Sequence, residues 1–417
     1  MGQILKKILV IGYVWPEPNS SAAGGHMMSI LRLYTQQGCQ VEFATPAQPT
    51  DHMIDLAKEG ISSKEIKLNC DSFDDYVAEY QPDMVMFDRF MMEEQFGWRV
   101  EKMCPQALKI LDTEDLQCLR NARHQANKAE RDLTQEDLFS NLAKREIAAI
   151  LRCDISLIIS SFEMELLKET FKVDARLLHH LPFMVDLNTI PKTTRSFAER
   201  RHFMTIGNFR HAPNWDAVLN LQTIWPQIRK QIPDAECHIY GAYPPPKATA
   251  LHNLKTGFLI KGWAEDAHAV MEQARLCLAP LRFGAGIKGK LLDAMVMQTP
   301  SVTTSVGSEG MHQHETWPGV IADDVAEFVA AAVDLYNNEQ TWQKAQQQAT
   351  ALLQTHYDSH KLGAKLIARI TEIENGLSQH RLNNFTGAML KHHSMMSTKY
   401  MSQWIAAKNA NTKDGSE

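Results

Sequence analysis

The chain predicts an α/β protein made of two doubly wound domains that face each other across a cleft. Three observations carry this. Apolar runs of strand length alternate with longer stretches of helical composition along most of the 417 residues. Runs such as Ile8-Leu9-Val10-Ile11 are apolar throughout, as in a parallel sheet covered on both faces. The alternation also stops once, at a polar stretch over 187–201, and then begins again.

The first series opens with the Ile8–Gly12 strand, the loop "PEPNSSAAGGH", the helix "MMSILRLYTQQG" closed by Gly38, and the strand "QVEFATP". "DMVMFD" (83–88), "ALKILDTED" (107–115) and "DISLIISS" (154–161) read as further strands. Between the last two runs a long charged helical stretch, from about Leu116 to Leu151. Its cations Arg120, Arg123, Lys128 and Arg131 are mixed with acids, the pattern of a solvated face. "RLLHHLPFMVD" (176–186) closes the series.

The second series runs "HFMTIGN" strand, "NWDAVLNLQTIWPQIRKQ" helix, "AECHIYG" strand, "GFLIKGW" strand, "DAHAVMEQA" helix, "RLCLAPL" strand, "TPSVTTS" strand and "DVAEFVAAAVDLYN" helix. The expected domains are therefore 1–186 and 202–355, Rossmann-like in both cases, with 187–201 as linker. A helix over 356–378 is expected to pack back on the first domain, and 379–417 to form a loosely structured polar tail.

Composition narrows the function. The chain is 44% hydrophobic and 22% charged with a net charge of −6, which disfavours a nonspecific nucleic-acid binder. Seven dispersed cysteines without CxxC or Cys/His spacing fit reduced thiols in the cytoplasm and no metal centre. The first apolar run is too short to span a bilayer and lacks a small-residue cleavage site, so no secretory signal is expected. "HQH" at His312 and His314 reads as a solvated loop.

"RFGAGIKGKLLDAM" (282–295) is the most informative stretch. It follows an apolar strand, passes three glycines and enters a good helix sequence. Strand, glycine loop and helix N-terminus together form a phosphate-binding geometry. Lys288 and Lys290 add positive charge there, and Asp293, about one turn on from Lys290, could accept hydrogen bonds from sugar hydroxyls. The competing reading is a plain glycine turn with solvated lysines, because a lone glycine motif is weak. The Gly24-Gly25-His26 loop poses the same choice. Both loops follow strand ends, where doubly wound sheets bind ligands.

Beyond these residues, the sequence up to about 375 resembles the GT-B-fold glycosyltransferases, specifically the family 4 retaining enzymes that use nucleotide sugars. "PNSSAAGGHMMSILRLYTQQGCQVEF", "TIGNFRHAPNWDAV" and above all "KGWAEDAHAVMEQARLCLAPLRFGAGIKGKLLDAMVMQTPSVTTSVGSEGM" carry the likeness. The resemblance implies that Gly262 and Trp263 lie beside the nucleobase. It implies that Gly286, Ile287, Lys288 and Gly289 line the diphosphate and sugar, that Asp293 binds the ribose, and that Gly25 reaches the diphosphate from the other domain. Arg210, with His211 beside it, would neutralise the diphosphate. Three departures stand out. The family's first paired acid is replaced by Ala285, its ribose glutamate by Asp293, and its first-domain histidine by Glu114.

The expected activity is sugar transfer from a nucleotide-diphosphate sugar to a glycan, lipid-linked or protein hydroxyl with retention. No cofactor or metal is expected, and the setting is cytoplasmic bacterial surface glycan or glycoconjugate synthesis with peripheral membrane contact possible. Arg210, Lys288 and Lys290 would stabilise the leaving diphosphate, and Glu114 or Asp115 would orient the acceptor hydroxyl or stabilise the oxocarbenium-like centre. Four rivals are separable. A metal-dependent GT-A enzyme would use "DTED" and need Mn²⁺ or Mg²⁺; an epimerase of the same fold would turn over donor alone. A catalytically inactive relative would bind nucleotide without transfer, and a nicotinamide dehydrogenase would need the GxGxxG that is absent after Ile11.

Overall fold

The computed structural model describes residues 6–191 and 193–413. The apolar runs become parallel strands because their side chains are covered on both faces: Ile8 to Ile11 are fully buried. Strands β1 (Lys7–Ile11), β2 (Gln40–Thr45), β3 (Ser62–Glu65), β4 (Met84–Asp88), β5 (Leu108–Asp112), β6 (Ile155–Ile158) and β7 (Leu178–His180) make one sheet, ordered β3-β2-β1-β4-β5-β6-β7. Strands β8 (Arg201–Ile206), β9 (Cys237–Tyr240), β10 (Phe258–Gly262), β11 (Ala274–Ala279), β12 (Ser301–Thr303) and β13 (Gly319–Ile321) make the second, ordered β10-β9-β8-β11-β12-β13.

In each sheet the first strand lies inside and pairs on both sides, β1 with β2 and β4, and β8 with β9 and β11. The winding reverses there, so a crevice opens beyond the carboxyl ends of those strands. Successive residues serve opposite faces. Leu9 and Ile11 join one apolar cluster while Ile8 and Val10 join another. Met204 and Cys277 likewise face away from Phe203 and Leu276 in the second domain. The helix Ser359–Asn375 sets Leu366, Ile370 and Ile373 against the Ile8 and Val10 face, so the chain returns to the first domain.

Two segments differ from expectation. The stretch from Leu116 to Leu151 is three helices, Gln117–Lys128, Gln135–Leu138 and Asn141–Arg152. Glu130 takes a positive φ of 51°, and Thr134 restarts the chain through a capping box with Asp137. The segment 379–417, expected to be loose, carries the end of the helix Leu377–Leu382 and then the helix Phe385–Lys413. That last helix packs on the helices Phe90–Met103 and Asn141–Arg152. Among its described side chains the buried positions are Gly387 and Ser402, so these show no apolar stripe on the buried face. Edge strand β3 is polar and exposed throughout, which hides it from a search for apolar runs.

Candidate functional site

The loop after β11 is docked against the first domain. Gly286 has φ +62°, in the left-handed region, and a Cβ there would lie 2.8 Å from Asp115 Cβ and 2.9 Å from Ile159 Cδ1. Its N–H donates to Glu163 Oε1 at 2.8 Å, and the same oxygen accepts the Leu116 N–H at 3.0 Å. Burial, reinforced by Asp115, pushes the Glu163 carboxyl up to about 8. Arg123 holds the next stretch, pairing both guanidinium ends with Glu309 at 2.7 and 2.8 Å and donating to the Gly284 carbonyl at 2.9 Å. Ala285 is buried within the first domain's apolar cluster, so an apolar contact occupies the place of the family's first acid.

Two helix N-termini meet at this seam. The helix Gly289–Val296 begins at Lys288 as N-cap, and a Cβ on Gly289 would stand 2.3 Å from Ala22 Cβ. Ala22 in turn opens the helix Ala22–Gln36, where Ser21 Oγ accepts the Gly24 N–H at 3.1 Å. Around Gly25 a Cβ would meet nothing within 4 Å, so this turn faces open space. Ile287 is buried with the second domain's core.

The charges here run against ordinary helix chemistry. Lys288 and Lys290 both sit at the positive end of the Gly289–Val296 dipole, where cations are disfavoured. Lys288 Nζ donates to the Gly286 carbonyl at 2.8 Å and the Ala285 carbonyl at 3.3 Å. Lys290 Nζ donates to Asn214 Oδ1 at 2.8 Å. Burial presses each ammonium down to about 8, and Lys288 presses further on Lys290. A buried cation, Lys288, and a part-buried one, Lys290, lie at one helix N-terminus, which suits an anion.

The rim joins both domains by aromatic and polar contacts. Trp263 is stacked on His52 of the first domain, with centroids 3.9 Å apart and planes 9° apart. Tyr243 meets the same His52 edge-on and donates to Glu17 Oε1 at 3.2 Å. Exposed Arg210 lies over the Tyr243 ring, its Cζ 3.7 Å from the centroid. His211 beside it stands at the N-cap position of the helix Ala212–Gln231 without a side-chain capping bond and is exposed. Gly262 ends β10 with φ +74° and open space at its Cα. Asp293 is part-exposed, 3.6 Å from His268 Nε2, and its carboxylate raises the imidazole pKa.

The first-domain floor is a buried charged cluster. Glu114 follows β5 with φ +55°, and its N–H donates to Asp112 Oδ1 at 3.2 Å. Burial, then the Asp112 charge, raise the Glu114 carboxyl well above the usual carboxylate range against the pull of Arg89. This favours its neutral, donating form. Asp88 is raised by the same two causes and accepts the Tyr13 N–H at 2.9 Å. His26 Nε2 lies 3.7 Å from Asp112 Oδ1. Asp115 is instead paired with Arg120.

Thus the structure gathers Gly25, Gly286, Ile287, Lys288, Gly289 and Lys290 along one seam, with Arg210, His211, Gly262 and Trp263 on the second domain's carboxyl-end loops. Glu114 belongs to the opposite floor. Sequence reading missed Arg123, Glu163, Glu309, His52 and Asn214. Asn214 and Glu309 do lie in the motifs "NWDAV" and "GSEGM", but Arg123 had the pattern of a solvated face and Glu163 had no local signal. Among the described residues one group, His202, Glu236 and His238, brings three potential metal ligands within 4.8 Å. It lies at the amino ends of β8 and β9, away from this seam, and one ring nitrogen of His202 accepts the Glu236 N–H.

Comparison with known proteins fits this geometry. Residues 200–338 match the family model of the group 1 glycosyl transferases. That match covers a third of the chain and lies within the second domain. A 44.6 kDa uncharacterized protein from the cps region of Klebsiella pneumoniae is 28% identical over 165 residues, 38% of this chain and 42% of the relative. The match thus spans less than half of that relative's length. HepE of Anabaena, solved with UDP-glucose, superposes with a TM-score of 0.67 at 10% identity, covering 88% of this chain and 99% of HepE. A sucrose-phosphate synthase of Thermosynechococcus elongatus gives 0.66 at 14% identity over 89% and 100%. A Rickettsia africae glycosyltransferase gives 0.65 at 12% over 89% and 99%. The two-sheet architecture is therefore GT-B, and the group 1 match falls on the domain that holds Lys288 and Lys290.

Proposed function

We propose that the protein transfers a sugar from a nucleotide-diphosphate sugar to an acceptor hydroxyl with retention of anomeric configuration. The observation that carries this reading is the pair of cations, buried Lys288 and part-buried Lys290, at the positive end of a helix facing the open Gly25 turn. Such an arrangement is costly unless an anion completes it. As the bond from the anomeric carbon to the diphosphate oxygen breaks and one from that carbon to the acceptor oxygen forms, negative charge grows on the leaving diphosphate, which takes up the proton of the acceptor hydroxyl. Lys290, Lys288 and Arg210 with the helix N–H groups oppose that charge where it appears. Gly262 and Trp263 take the base, and Asp293 the ribose. Glu114 positions the acceptor hydroxyl from the opposite floor.

The uridine nucleotides seen with HepE make uridine donors the first choice. The cps-region relative supports an acceptor in surface glycan or glycoconjugate synthesis, with the protein in the cytoplasm. Seven free cysteines are compatible with that setting.

Asp293→Asn tests the donor pose. An ionised carboxylate accepts from both ribose hydroxyls, whereas the amide turns one acceptor into a donor. Hydrogen bonds to charged groups contribute about 1.5–3 kcal/mol, so donor affinity measured by calorimetry should fall roughly ten- to a hundredfold. A 2′,3′-dideoxy nucleotide should bind wild type and variant alike. Equal weakening of both ligands would move Asp293 to a structural role with His268.

Chelation tests the charge assignment. Because side-chain cations neutralise the diphosphate, transfer should proceed in excess EDTA at the rate seen without it. Loss of transfer in EDTA and its recovery with Mn²⁺ would replace this assignment by a metal-assisted one.

A further inference from the structure

We infer that the outward face of the helix Phe385–Lys413 docks the protein onto an anionic lipid surface. This rests on the far side of the first domain and is independent of the reading of the cleft. Phe385, Met389, Met396, Tyr400 and Trp404 are all exposed, Phe385 to 77% and Trp404 to 60%. At 3.6 residues per turn these five project within an arc of about 100° and run for about 29 Å. The opposite face is the one held by protein. Gly387 packs against the Leu151 carbonyl, Lys391 pairs with Glu101 at 3.4 Å, and Ser402 Oγ accepts from buried Arg99 at 3.3 Å. The helix is thus fixed in rotation with its large apolar side chains turned outward.

Charge identifies the occupant. Between Glu374 and Asp414 the sequence has no acidic residue, yet it has five lysines and arginines, on a chain of net charge −6. Lys399 and Lys408 flank the apolar stripe on its two sides. Their ammonium groups lie 5.7 Å from the Tyr400 ring and 5.4 Å from the Trp404 ring. Trp, Tyr and Met beside lysines suit a bilayer interface, where rings and thioethers enter the acyl boundary and lysines meet headgroup phosphates. A lipid surface meets a straight stripe of this kind along its whole length. No helix among the described residues is long and apolar enough to cross a membrane, so the contact lies along the surface.

The test is co-sedimentation of the full chain with vesicles of phosphatidylcholine alone and of equal parts phosphatidylcholine and phosphatidylglycerol. The protein should pellet with the anionic vesicles, remain in solution with the neutral ones, and be released by raised salt. Tyr400→Glu/Trp404→Glu should abolish pelleting. Lys399→Gln/Lys408→Gln should weaken the anionic partition about thirtyfold, roughly fivefold per lysine, with the thermal midpoint measured alongside as the control for folding. Failure to pellet with anionic vesicles overturns the proposal, as does equal pelleting with neutral ones or undiminished binding by the lysine pair. So does a dimer, measured by light scattering without lipid, that Tyr400→Glu/Trp404→Glu converts to monomer, because a second copy would then cover the stripe.

Discussion

Lys290→Ala should lower the turnover of sugar transfer by about 10²–10³-fold while the thermal midpoint of the ligand-free protein stays level or rises. Removing one preorganised charge contact to a developing anion commonly costs about 2.7–4 kcal/mol of transition-state stabilisation. The stability side has the opposite sign. Lys290 is a cation near Lys288 at the positive end of a helix dipole, and burial holds its pKa down at about 8. Its bond to Asn214 Oδ1 offsets part of that cost. Without ligand the site is therefore a net strain, and alanine, the best helix former, relieves it. Steady-state kinetics and a melting curve on one preparation separate the two effects. A variant with wild-type turnover, or one that merely unfolds, would remove Lys290 from the donor site.

Gly289→Ala should reduce turnover about a hundredfold without weakening the second domain. Within its own helix the added methyl is favourable by roughly 1 kcal/mol, since glycine is the poorer helix former. Across the seam it would stand 2.3 Å from Ala22 Cβ, less than any real contact. The two helix N-termini must then separate, and a displacement of about 1 Å at reacting groups can cost about 10²-fold. Ala22→Gly removes the opposing methyl, leaving Ala22 Cα at 3.5 Å, an ordinary contact. The double variant Ala22→Gly/Gly289→Ala should recover most of the activity. Kinetics on the two single variants and the double one measure this coupling directly. Additive losses in the double variant would show that the seam does not need this close approach.

How much of this was legible in the sequence depends on the range of the interaction concerned. Buried strands such as Ile8–Ile11 announce themselves because parallel sheets need continuous apolar runs. The glycine loop and the lysines at 288 and 290 were legible for a local reason too, since a helix start after a strand is a short-range pattern. Edge strand β3, exposed along its whole length, has no apolar period to read. The helix Phe385–Lys413 was hidden because the buried positions among its described side chains are Gly387 and Ser402 while its large apolar residues point outward. The seam partners were the least visible. Arg123 and Glu309 are far apart in the chain, and only the approach of the two domains joins them into a bidentate pair. Glu163 likewise looks like an ordinary helix acid until folding buries it beneath the Gly286 N–H.

The central claim is that a nucleoside diphosphate donor binds at the two lysines where the domains meet. A thermal-shift titration of wild type and Lys290→Ala with nucleoside diphosphates and their sugar conjugates, uridine first, tests it most directly. A ligand in hundredfold excess over its Kd stabilises the folded protein by about 2.7 kcal/mol. The account predicts that one nucleoside diphosphate raises the wild-type midpoint, that its sugar conjugate does so as well, and that both shifts shrink or vanish in Lys290→Ala. If no nucleoside diphosphate shifts the wild type, or if the preferred one shifts wild type and variant equally, the lysine-bearing seam is not the donor site.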